Sequence, residues 1–228
     1  MKQISQDQII RTTAITGIIG AVTIILGSLI SALFYNGRTN ETYSFLNHFV
    51  SELGEVGVSD VPFIFNGGLI IGAFFLTLFL LGVAWLVRNW LGALFAVLAL
   101  VTGISGLLVG VYPMNNIEPH ITVAMLFFNT GQFTMLFFSV YVLFSKHPWF
   151  SKKLAIPGFI TGIFFIVFLN MPSSTKGDVD IENAMLDLLY NRPTILPLAI
   201  FEWLIIAGLM SWVIYTCVHL WRFNKQQN

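Results

Sequence analysis

His48 and Glu52 stand four residues apart, on one face of any helix they share, with Ser51 beside them. Two side chains at that spacing can reach one ion, and His120 with Glu202 would complete a two-His, two-carboxylate set suited to Zn²⁺ and metal-assisted hydrolysis. Read without a metal, His48, Ser51, Glu52, Asn66, His120 and Glu202 are the few polar groups that a ligand pocket with apolar walls requires. A Ser51–His48–Glu52 nucleophilic triad would also need a strained turn and an oxyanion hole, and no motif for either is present. Glu202 stands out because it falls inside an apolar run, and an ionisable group in hydrocarbon is expensive and usually functional.

The elements that must position these residues follow from composition. Of 228 residues, 56% are hydrophobic and 10% charged, far from the soluble average of about a quarter charged. The mean hydropathy is +0.81. This is the composition of a membrane protein, and a formal net charge of zero gives no reason to expect a nucleic-acid partner. Cys217 is the single cysteine, which excludes a disulfide within the chain and a CxxC site. Apolar runs long enough to cross a bilayer core of about 30 Å occur at about 13–35, 62–87, 90–112, 121–144, 154–171 and 195–220. The expected fold is therefore all-α and polytopic: one domain over residues 1–228, a bundle of six transmembrane helices with short extracytoplasmic amphipathic helices. The first run exceeds the roughly 7–15 apolar residues of a signal peptide.

Six spans put both termini on one side. Lys2, Arg11, Arg88, Lys146, Lys152, Lys153, Arg222 and Lys225 share that side, against Arg38, Lys176 and Arg192 opposite. The positive-inside rule makes the termini cytoplasmic, with the cell membrane as the expected location. The two long connections, 36–61 and 172–194, then lie outside. In the first, Phe45, Leu46, Phe49, Val50 and Leu53 form one stripe and Asn47, His48, Ser51, Glu52 and Glu55 the other, which reads as an amphipathic helix with its polar side to water. The second carries a similar pattern from Asp180 to Leu189 before "NRPT" breaks it. Asn129 and Gln132 read as hydrogen bonds between helices, and Ala99, Gly103, Gly106 and Gly110 as a stripe that admits a close neighbour.

"SELG" at 51–54, "FNGGL" at 65–69, Gly106, Gly110, Pro113 and His120 together resemble the DUF998 family of multi-span membrane proteins, a domain of unknown function. The resemblance runs from the first long connection through the fourth span. It implies a compact helical membrane protein with polar positions gathered at one side, marks Ser51, Glu52, Asn66, Pro113 and His120, and supplies no activity. It also implies a more acidic turn after the proline, where Met114 and Asn115 stand here. The leading functional expectation is a non-catalytic protein with an extracytoplasmic polar pocket that binds or handles a membrane lipid or small amphiphile, without a cofactor. One alternative is the Zn²⁺-dependent intramembrane hydrolase built on His48, Glu52, His120 and Glu202. The other is a secondary transporter, which the scarcity of buried charge and the absence of an inverted repeat disfavour.

Overall fold

The computed structural model describes residues 5–171 and 181–227. Among the described residues seven α-helices form: α1 Gln6–Leu33, α2 Pro62–Val87, α3 Trp90–Val111, α4 Ile117–Phe144, α5 Ala155–Asn170, α6 Ile181–Tyr190 and α7 Pro197–Gln227. All but α6 are long and apolar enough to cross a membrane, the fifth counted from Lys152 with the 3₁₀ turn that leads into it. The protein is an integral, multi-pass membrane protein. Each long helix is apolar on both its protein and its outer face. Thus α1 buries Ala14, Ala21 and Ile24 while Ile15, Val22, Leu26 and Leu29 stay exposed, the pattern of a helix between protein and lipid.

Three boundaries differ from the hydropathy reading, each for a local reason. α1 begins before residue 13 because Ser5 and Gln8 make a capping box, Ser5 Oγ accepting the Gln8 N–H at 3.2 Å and Gln8 Oε1 accepting the Ser5 N–H at 2.9 Å. α4 begins one turn before residue 121, with Glu118 and Pro119 in its first turn. There the carboxylate complements the helix dipole and proline has no hydrogen bond to lose. α7 continues past residue 220 to Gln227, with Lys225 in its last turn, since a helix needs no lipid to keep its own backbone hydrogen bonds.

Helix α1 packs on α2, α2 on α3, α3 on α4, α4 on α5, α5 on α7 and α7 back on α1. The six long helices thus close a ring in chain order. Glycines set the closest approaches: a Cβ on Gly72 would lie 3.0 Å from the Gly20 carbonyl oxygen across α1–α2, and one on Gly110 would lie 2.8 Å from that of Asn66 across α2–α3. The small-residue stripe of α3 is therefore a packing surface. Toward the terminal end, Trp212 sits edge-on between Phe79 and Phe138, at centroid distances of 5.6 and 5.0 Å. Thr102 and Thr134 hydrogen-bond across α3–α4 at 2.9 Å. Asn129 does not bridge helices as expected. Its side chain is turned outward, where no partner helix stands, and its amide donates to the Met125 carbonyl of its own helix at 2.7 Å.

One end of the ring carries the start of α1, the end of α7 and the α2–α3 and α4–α5 connections, and the other carries the two long connections with the short α3–α4 turn. The second long connection holds α6, as its pattern predicts, although the acidic start of that stretch at Asp180 and the nearby Lys176 lie outside the described residues. The first long connection corrects its prediction. Instead of an amphipathic α-helix with its polar side to water, it forms a turn over 45–47 and a 3₁₀ helix Val50–Gly54, and it buries residues of both stripes. His48 is 2% exposed and Glu52 0%, alongside the buried Phe49, Val50 and Leu53, whereas Phe45 and Leu46 are 46% and 53% exposed. The burial of the polar stripe has a physical cause in the partners described next.

Candidate functional site

The loop enters the ring by its apolar residues. Val50 and Leu53 pack with Tyr35 and Phe65, while Phe49 packs with Met114, Leu189, Leu196 and Ala199. Burying these side chains carries the intervening polar ones inward, where each finds a partner.

Glu52 is the hub of that arrangement. Its Oε1 accepts the Phe49 N–H at 2.7 Å and Arg192 Nη1–H at 3.0 Å. Its Oε2 accepts Arg192 Nη2–H at 2.8 Å, the Tyr35 hydroxyl at 3.1 Å and Arg38 Nη1–H at 3.3 Å. Arg38 also pairs with Glu55. Two guanidinium groups thus face the carboxylates of Glu41, Glu52 and Glu55 with little water between them, the only condition under which buried charge is tolerable. Burial pushes the Glu55 carboxyl up, opposed by Arg38. For Arg192, burial acts downward, but the hydrogen bonds and charge of Glu52 outweigh it and hold the guanidinium above its ordinary range. Burial acts upward on Glu41, yet the hydrogen bonds from Thr39 win and bring its carboxyl down to about 2.

The same network stitches the two long connections together. Arg192 Nη1 donates to the Asn47 carbonyl at 3.1 Å, Asn47 Nδ2 to the Pro193 carbonyl at 3.1 Å, and the Leu196 N–H to the Leu46 carbonyl at 2.8 Å. Tyr43 ties the loop to α7, its hydroxyl accepting Trp203 Nε1–H at 2.8 Å and donating to the Phe49 carbonyl at 2.9 Å. Asn115 completes the closure: it accepts the Val56 N–H at 2.8 Å and donates to the Val56 carbonyl at 2.9 Å. An amide does both, whereas an ionised carboxylate only accepts, so a carboxylate in its place would lose the second bond.

His48 belongs to this closure. The Ser44 N–H donates to its Nδ1 at 3.2 Å, its Nε2 lies 3.6 Å from Glu41 Oε1, and its ring packs against Tyr35 and Tyr43. Burial holds its pKa below the ordinary value, opposed by Glu52. Asn66, on α2, donates from Nδ2 to the Gly54 carbonyl at 2.8 Å and so anchors the end of the 3₁₀ turn. Neither His48 nor Glu52 pairs with Ser51, whose hydroxyl donates to Met114 Sδ at 3.1 Å; the triad geometry does not form. Among the described residues no group of three or more His, Cys, Asp or Glu side chains could hold a metal ion. The four-residue zinc set is split because both oxygens of Glu52 are already taken by arginine.

The remaining candidates lie beneath the loop. A narrow central cavity of about 110 Å³ runs down the ring between α1, α2, α3, α4 and α7, roofed by Val50 and Ser51. A second cavity, of about 290 Å³, lies between α4, the end of α5, α6 and α7. Ser51, Ala124, Phe128, His120 and Glu202 line both. The walls are otherwise almost wholly apolar. The wall of the second cavity includes Met125, which is 40% exposed at the bundle's surface.

At this junction His120 Nδ1 sits 2.7 Å from the Tyr112 carbonyl oxygen. A carbonyl only accepts, so Nδ1 carries the hydrogen, and a neutral ring leaves Nε2 as an acceptor. Glu202 Oε2 accepts the Val50 N–H at 2.7 Å, and Oε1 has no hydrogen bond among the described residues. Along the central cavity Ser28 Oγ and Trp212 Nε1 are buried without a partner. Sequence reasoning picked out Ser51, His120 and Glu202 but passed over Ser28, Tyr35, Arg38, Tyr43 and Arg192. The signal for Ser28 was a hydroxyl inside the first apolar run; the arginines carried none, because their partners are distant in sequence.

The model of a family described as "Protein of unknown function (DUF998)" matches residues 18–219. No curated protein and no solved structure matches the chain.

Proposed function

Because the chain belongs to the DUF998 family, a membrane-protein family described without an activity, we propose its function from the site: it binds one lipid or small amphiphile non-catalytically. The apolar tail lies in the central cavity and the polar group at Ser51, His120 and Glu202. The single observation that carries this reading is that those three side chains line both the central cavity and the second one, whose wall includes the surface-exposed Met125. A route and a seat then share one polar threshold. Buried polar atoms are normally partnered, and Ser28 Oγ, unpartnered among the described residues, fits a cavity that is occupied in the membrane. The lining residues on α7 run from Glu202 to Val213, a rise of roughly 16 Å at 1.5 Å per residue, so the polar threshold opens onto an elongated apolar wall.

In this reading the protein sits in the cell membrane with both termini cytoplasmic and the sealed loop end outside. The lysine and arginine distribution supports that orientation, since Arg38 and Arg192, two of the opposing charges, are spent on buried carboxylates. Native mass spectrometry tests the binding. Wild-type protein purified in mild detergent should retain one amphiphile, and Ala124→Trp, which obstructs the residue common to both cavities, should lose it. Wild type carrying none after reconstitution with total lipid extract, or equal retention by the variant, would end the proposal.

A further inference from the structure

We infer that the polar group seated at Ser51, His120 and Glu202 is a primary amine, which makes the ligand a long-chain amine or an amphiphile with an amino headgroup. This rests on the amphiphile reading above and adds the chemistry of the head.

The threshold offers acceptors and almost no donors. Glu202 Oε1 is without a hydrogen bond among the described residues, and Oε2 already has the Val50 N–H. His120 spends its one hydrogen on the Tyr112 carbonyl and leaves Nε2 as a lone pair. Ser51 spends its hydrogen on Met114 Sδ, so its oxygen can only accept. The three residues that carry these acceptors line the same two cavities, and their number matches the three N–H donors of a primary ammonium.

Charge points the same way. The described cations at this end, Arg38 and Arg192, are committed to Glu41, Glu52 and Glu55. Glu202 has no ion pair with a described residue, although it is only 9% exposed. A buried carboxyl is most readily accommodated when paired and hydrogen-bonded, and an incoming ammonium does both. A carboxylate or phosphate head would set like charge against Glu202 and find no donor. An alcohol has one donor for three acceptors. A quaternary ammonium has charge but no N–H.

The test compares four probes of equal chain length at equal mole fraction in detergent: dodecylamine, dodecanol, dodecanoic acid and dodecyltrimethylammonium, with bound stoichiometry read by native mass spectrometry. Wild type should take up the amine with an affinity on the order of tenfold or more above each of the others, and Glu202→Gln should abolish that preference while still binding dodecanol. Equal or stronger uptake of the alcohol, the acid or the quaternary ion by wild type overturns the inference, as does an undiminished amine preference in Glu202→Gln. Because the wild-type comparison stands by itself, a poorly folding variant leaves the inference testable. Failure to bind any of the four would instead count against the amphiphile reading.

Discussion

Arg192 forks onto Glu52 across 140 residues of chain, Nη1 donating to Oε1 at 3.0 Å and Nη2 to Oε2 at 2.8 Å. Side-on pairing of this kind fixes direction as well as charge. It joins the segment before α7 to the 3₁₀ turn that roofs the ring. Arg192→Met leaves the fully buried Glu52 with Arg38, Tyr35 and the Phe49 N–H. Removing one partner of a buried pair costs about 3–5 kcal/mol, so the variant should unfold at clearly lower temperature in detergent, by circular dichroism or dye binding. An unchanged melting temperature would mean that the closure contributes little.

Acid should loosen the same closure through His48. Its folded pKa lies below the ordinary 6.5 because burial disfavours the imidazolium. The unfolded chain then binds the proton more readily, so this contribution is intact above pH 6.5 and is lost as pH falls below it toward the folded value. Tyr35, Tyr43, Glu41, Glu52 and Arg192 face or surround the ring. In melts between pH 7.5 and 5, His48→Gln should show a shallower loss than wild type. Identical slopes would remove His48 from the account.

Two glycines give opposite expectations. A Cβ at Gly110 meets the backbone of Asn66 and Ile70, whereas one at Gly67 meets nothing within 4 Å. Gly110→Ala should therefore cost roughly 1–3 kcal/mol as α2 and α3 are pushed apart. Gly67→Ala should be neutral or stabilise by up to about 1 kcal/mol through helix propensity. Thermal melts of the two variants check the order, and a reversed order would contradict the α2–α3 packing.

Orientation is open to cysteine labelling in whole cells. Native Cys217 is 1% exposed and should stay silent, whereas Asp60 and Lys225 are exposed at opposite ends. Asp60→Cys should react with a membrane-impermeant maleimide in intact cells, and Lys225→Cys only after permeabilisation. The reverse pattern would place the sealed end in the cytoplasm.

The six spans were legible because a long apolar run has few alternatives to a membrane helix. The ends of those helices were less so, since a capping box at Ser5 and an acidic first turn at Glu118 act locally and beneath the resolution of a hydropathy window. The first long connection was misread for a deeper reason. Phe49, Val50 and Leu53 do face inward, but Glu52 is buried with them because Arg38, Arg192 and Tyr35 supply its partners, and no spacing within 44–55 contains that information. Ser51, His120 and Glu202 were visible as polar residues near one boundary. That they line the same two cavities depends on the ring closing α7 onto α1, which the sequence does not announce.

The most direct measurement is photo-crosslinking in membranes with an alkyl amine bearing a diazirine near the chain terminus, followed by peptide mapping. Occupancy of the central cavity predicts adducts at its far walls, at Phe79 of α2 and Met210 and Val213 of α7, competed away by unlabelled dodecylamine. Adducts confined to outward-facing residues such as Ile104 and Phe133, unaffected by competitor, would show only contact with bulk lipid and contradict the account.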